Sequence, residues 1–120
     1  MPTISHFEIP AFDVERAKVF YSGLFEWEFD EEMMDHWTIA TRKLGQYALQ
    51  GGLKQRKNNK DRVVNYIGVP SVDHYANRVA MLGGKIIVPK RAVSGKGYFA
   101  VFSDTEKNVF ALWEDEVMAK

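Results

Sequence analysis

Residues 3–25 read TISHFEIPAFDVERAKVFYSGLF, and they place two different elements back to back. Residues 3–11 alternate and are rich in β-branched and aromatic side chains, which predicts a strand. Asp13 follows, and behind it Val14, Ala17, Phe20, Tyr21 and Leu24 recur at helical spacing. Asp13 suits the N-cap, and Glu15 suits the first turn, where a carboxylate meets the positive end of the helix dipole. Three short strand-like runs come next, WEFDEE, HWTIATR and QYALQGG, with turns marked by MMD and KLG.

The same order recurs beyond the polar run KQRKNNKDR at 54–62. VVNYIGV reads as a strand, and Ser71 as the N-cap of VDHYANRVAML, with Val72, Tyr75, Val79 and Leu82 on one face. Gly83 and Gly84 end that helix, and KIIVP, GYFAVFSD and VFALWED supply three more strands. A shift of 58 residues lays Asp13 on Ser71, Val14 on Val72, Leu24 on Leu82 and Ile9 on Ile67. A later shift of 63 lays YALQ at 47–50 on FALW at 110–113, which assigns five extra residues to the loop RAVSGKG. The expected architecture is α+β, built from two tandem βαβββ modules at about 1–53 and about 63–120, with 54–62 as linker.

A chain of 120 residues fits one domain with a real core. Sixteen basic side chains balance sixteen acidic ones, which gives no reason to expect a nucleic acid or a membrane surface as partner. The sequence has no cysteine, so disulfides, thiolate metal sites and cysteine nucleophiles are excluded. No stretch has the length of a membrane span or the apolar run of a signal peptide, and a cytoplasmic location is expected.

Three stretches carry a resemblance: HFEIPAFDVERAKVFYSGLFEW, LGGKIIVPK and GYFAVFSDTEKNVFALWE. With the order of elements they resemble the vicinal oxygen chelate superfamily of glyoxalases, bleomycin-resistance proteins and extradiol dioxygenases, in its small glyoxalase-like branch. Two turns depart from that pattern. Glu26 stands where the family's LFGW has glycine, and Thr105 and Lys107 replace the proline and glycine of its DPxGN turn. The resemblance implies a single glyoxalase-like domain over 1–120, in which the two modules form a cup-shaped mixed sheet around a ligand.

In metal-dependent members each module gives one ligand from its first strand and one from its last. The resemblance puts those positions at His6, Ala48, Val64 and Ala111. A firmly held divalent cation needs about three nitrogen or oxygen donors, and alanine and valine have none. No metal and no other cofactor is therefore expected, and a divalent ion would have to recruit ligands from elsewhere. His6 and Glu8 share strand parity and stand two residue rises apart, a spacing from which they could move protons on a bound molecule. His6 reads equally well as a hydrogen-bonded histidine lining the cup. Gln50 and Asn65 are amides suited to orienting a carbonyl or carboxylate, and Tyr98 and Trp113 are candidate aromatic contacts. His36, in a turn, and His74, on a helix, receive no role.

Three functions remain open from the sequence. One is a glyoxalase/bleomycin-resistance-like protein that binds a small organic molecule in the cup without the superfamily metal. Another is a lyase or isomerase of glyoxalase type, lactoylglutathione lyase-like, using an unforeseen metal set or His6/Glu8 acid–base chemistry. The third is an interaction module whose cup is filled by its own side chains. A small-molecule ligand and a two-fold homodimer are the expected partners.

Overall fold

A computed structural model of the chain describes residues 2–33, 35–41 and 49–120. They form two compact units: residues 6–63, and residues 64–120 taken with the N-terminal residues up to Ser5.

The first unit contains β1 (Thr3–Ala11) from His6 onward, α1 (Val14–Phe25), β2 (Glu28–Met33), β3 (His36–Ala40) and β4 (Gln50–Gln55). Its strands are hydrogen-bonded in the order β2-β3-β4-β1. The β2–β3 and β3–β4 pairs are antiparallel, and β4 runs parallel to β1. A parallel pair cannot be closed by a tight turn, so α1 and the β2–β3 hairpin occupy the crossover. Asp13 caps α1 as expected, its Oδ1 accepting from the Arg16 backbone N–H at 3.0 Å. Val14, Ile39 and Leu53 form the buried core, with Phe7, Ile9, Ala11, Ala17, Phe29 and Trp37 among the side chains packed on it. Odd-numbered residues of β1, β3 and β4 thus face α1. Even-numbered ones, among them His6, Glu8, His36 and Gln50, face away from it.

The second unit repeats this plan in β5 (Val64–Gly68), α2 (Val72–Met81), β6 (Lys85–Val93), β7 (Gly97–Ser103) and β8 (Val109–Asp115). The order is β5-β8-β7-β6, with β5 parallel to β8 and the others antiparallel. Ser71 Oγ caps α2 by accepting from His74 N–H at 3.1 Å, and Glu114 Oε1 accepts from Val72 N–H at 2.8 Å. Val69, Val72, Ala100 and Leu112 form its core. Pro89 cannot donate to a ladder, and β6 shifts register around it, between Val88 and Arg91.

The tandem βαβββ order stands as expected, with three local differences. Strand β4 continues through Lys54 and Gln55, which the sequence reading gave to the linker. Strand β6 runs on to Val93, so the loop there is only 94–96. The third difference is one of alignment. Glu8 lies opposite Gly52, and Tyr66 lies opposite Ala111. Since Glu8 falls on Tyr66 at the shift of 58, the ladder lays Gly52 on Ala111 and Leu53 on Leu112. That is a shift of 59, not 63, and both leucines are buried. The likeness of YALQ to FALW is not structural, and the five-residue insertion disappears; Tyr47 and Ala48 themselves lie outside the described residues.

The two departures from the family turns have a physical signature. Glu26 and Lys107 both adopt left-handed backbone, with φ of 60° and 68°. These are the positions where the resembled pattern carries glycine, the residue that reaches that conformation without steric cost. No helix among the described residues is long and apolar enough to cross a membrane.

Candidate functional site

Among the described residues of the first unit one charged side chain is buried, Glu8, at 6% exposure. Strand alternation aims it away from the α1 core, and the register sets it opposite Gly52, which in turn lies opposite Thr38. Gly52 leaves a gap in the middle of this row. A Cβ there would collide with the Glu8 carboxylate and come within 2.6 Å of His36 Nε2. Through that gap Glu8 reaches the His36 ring, while His6 stands beside it two residues away on the same strand. Glu8 Oε2 accepts from His6 Nε2, and Glu8 Oε1 accepts from His36 Nε2 at 2.9 Å. An ionised carboxylate can only accept, so each imidazole presents Nε2–H to it.

Glu8 is ionised at neutral pH. Burial on its own would raise its pKa, but the hydrogen bonds from His36 and His6, and the charge those rings can carry, outweigh it and hold the group at about 2. His36 continues the chain of polar contacts. Its Nδ1 is buried with no hydrogen-bond partner among the described residues, and Glu32 Oε2 stands 3.6 Å from it. The result is a row of acid and imidazole groups, Glu32, His36, Glu8 and His6, on the face of the sheet turned from α1. His6 and His36 keep 36% and 24% of their side-chain surface open to solvent. Gln50 lies directly across from His6 on the same face and is exposed.

The expected pair His6/Glu8 is therefore in hydrogen-bonded contact, and Gln50 is its neighbour. The other expected residues belong to the second unit. Tyr98 packs against the core beneath α2 and stacks under Lys90 Nζ at 4.2 Å, so it is a core aromatic and not a free contact surface. Asn65 alternates in step with Ile67, another residue packed on that core, so its parity is also that of the α2 side. Trp113 alternates with the core residue Leu112 and so faces away from α2, its indole N–H donating to Asp115 Oδ1 at 2.7 Å. Sequence reasoning missed His36. The available signal was the double glycine of QGG: glycine inside a strand marks a close approach, and here it admits Glu8 to a ring two strands away.

The metal ligands implied by the resemblance do not fit. Val64 and Ala111 offer no donor atom, and Ala48 lies outside the described residues. The ladder makes Gln50, not Ala48, the β4 neighbour of His6. At those positions, among the described residues, His6 and its neighbour Gln50 are two donors, fewer than a divalent ion requires, and His6 Nε2 is already engaged by Glu8. Among the described residues no group of three or more histidine and carboxylate side chains is arranged to hold a metal.

Comparison with known proteins extends the sequence resemblance. Residues 3–112 match the family model described as Glyoxalase/Bleomycin resistance protein/Dioxygenase superfamily. A glyoxylase-like domain-containing protein of Didymella fabae is 31% identical over 118 residues, covering 91% of each chain. Methylmalonyl-CoA epimerase from Mycobacterium tuberculosis superposes with a TM-score of 0.71 at 15% identity, over 94% of this chain and 87% of that one. A glyoxalase/bleomycin resistance protein/dioxygenase superfamily member from Vibrio splendidus 12B01 gives 0.70 at 14% identity, over 96% of this chain and all of its own.

Proposed function

The chain belongs to the Glyoxalase/Bleomycin resistance protein/Dioxygenase superfamily, and from that premise we propose that it binds a small organic molecule at His6, Glu8 and His36 without the superfamily metal. The observation that carries this reading is the buried, ionised Glu8 held between two partly open imidazoles on a sheet face turned from the α1 core. A charge taken out of water is costly unless it is paired and hydrogen-bonded. A sheet face that only needed burying would more cheaply carry apolar side chains. The fixed imidazoles and the Gln50 amide instead offer directional contacts to a polar ligand. The missing donors at Val64 and Ala111 support binding without metal.

A thermal-shift screen of small carboxylates, carbonyl compounds and amines tests this, run on protein dialysed against chelator and repeated with Ni, Zn, Fe or Mn added. The expected result is a stabilising compound whose effect is the same with chelator and with metal. Stabilisation that requires the metal, with about one equivalent surviving dialysis, would contradict the metal-free reading.

A second reading is favoured by the carboxylate–imidazole contact itself. An ionised carboxylate bonded to one ring nitrogen fixes a histidine's tautomer and raises its usefulness as a base. On this reading His6 moves a proton on the bound molecule, as a lyase or isomerase of glyoxalase type would require. The epimerase neighbours carry isomerisation in their names, but at their low identity they contribute the fold and not the substrate. Exchange of a ligand's carbon-bound proton in D2O, present in the wild type and lost in His6→Ala, would favour this reading over simple binding.

A further inference from the structure

One nitrogen of His36 is unmet. Its Nε2–H is committed to Glu8 Oε1, so Nδ1 is the ring's acceptor. That nitrogen is buried and has no hydrogen-bond partner among the described residues. Glu32 Oε2 stands 3.6 Å away, beyond hydrogen-bond reach. Two acceptors thus face each other across a gap that only a donor bridges, and a buried acceptor left unmet is costly. The Glu32 side chain is 27% exposed, so its carboxylate can be approached from solvent.

The surrounding charge says which donor. Asp30 lies opposite Thr38, Thr38 opposite Gly52 and Gly52 opposite Glu8, and Glu28 alternates in step with Asp30. Together with Glu32 these carboxylates share the face turned from α1. Among the described residues of β1 to β4 one cationic side chain joins them, Lys54, opposite His36. Glu8 is already met by two imidazole N–H groups, whereas Glu28 and Asp30 are exposed. The chain as a whole is neutral, so this negative excess is local. It draws cations and repels carboxylates.

We propose, resting on the reading of His6, Glu8 and His36 as a small-molecule site, that its ligand carries a protonated primary amine whose N–H groups bridge His36 Nδ1 and the Glu32 carboxylate. An ammonium has donors only, and this pair has acceptors only. A carboxylate ligand would set acceptor against acceptor here, and an alcohol has one proton for two acceptors. The bond to Glu32 is charge-assisted, the stronger kind. Glu32 is then the residue that selects the ligand's charge.

Titration of the metal-free full chain with n-butylammonium, butyrate and butan-1-ol, followed by ¹⁵N–¹H correlation of the imidazoles, compares three heads on one tail. The ammonium is expected to bind roughly tenfold tighter than the others, or more, and to move the His36 Nδ1 resonance. Glu32→Gln, on the edge strand β2, should keep the wild-type Tm. It should raise the ammonium's dissociation constant roughly tenfold or more, because it removes the charge and supplies an amide N–H to Nδ1. Asp30→Asn, on the same face, should weaken binding much less. Butyrate binding tighter than the ammonium, with His6 and His36 both shifted, overturns the amine assignment and leaves the small-molecule reading standing. Equal losses in Glu32→Gln and Asp30→Asn mean diffuse attraction and overturn it too. An ammonium that leaves His36 unmoved overturns it as well, and the small-molecule reading is then decided by the thermal-shift screen alone. The comparison of the three compounds on the wild type holds whatever Glu32→Gln does to folding.

Discussion

Glu8 is the residue on which the site's electrostatics turn. Its folded pKa, about 2, lies below its ordinary value of 4.5. A carboxylate depressed in this way stabilises the fold fully above the ordinary value, and the contribution drains away as pH falls from about 4.5 through about 2. The amount at stake is on the order of 3 kcal/mol. Urea unfolding of the wild type should show this loss across that acid window. Glu8→Gln should be less stable by about 1.5–3 kcal/mol at neutral pH, because it removes the charge from two hydrogen bonds, and should flatten the acid dependence. A variant as stable as the wild type at pH 7, with an unchanged acid profile, would show that Glu8 is not ionised between the two rings. The sequence displayed His6 and Glu8 as neighbours on one side of a strand, which alternation alone decides. It did not display His36, whose role depends on a gap at Gly52 on β4, the strand between His36 and Glu8.

Among the elements, the turns record where this chain departs from the pattern it resembles. Lys107 holds left-handed backbone after Asp104, whose carboxylate accepts from the Glu106 and Asn108 N–H groups at 2.8 and 2.9 Å. Those bonds fix the turn, and Lys107 carries the steric cost of it. Lys107→Gly should therefore stabilise the protein by about 0.5–1 kcal/mol, the relief of left-handed strain less the glycine's chain entropy. Calorimetry would read this as a rise of a few degrees in Tm; an unchanged or lower Tm would mean the turn is unstrained. The helices and their caps were legible because Asp13 and Ser71 are local signals, each acting on a backbone N–H three residues ahead. The last strands were misaligned because YALQ and FALW are alike only in chemistry. Register is set by the ladder, where Gly52 and Ala111 are the true counterparts.

At the scale of the whole molecule, two βαβββ units bury their helices against one side of each sheet and then differ on the other. The first unit places Glu8 and two histidines there, while the second places Tyr66 at the counterpart of Glu8 and Ala111 at the counterpart of Gly52. The sequence revealed the duplication through its caps and spacing. It did not reveal that one carboxylate holds both His6 and His36. The chain has three histidines, and the third, His74 on α2, lies in the other unit, so the imidazole nitrogens form a built-in comparison. The most direct test is ¹⁵N–¹H correlation of these three rings while a compound found by thermal shift is titrated into metal-free protein. The account predicts that His6 and His36 move together and saturate at one equivalent while His74 stays in place. Saturation that moves His74 alone, or leaves both His6 and His36 unmoved, would contradict it.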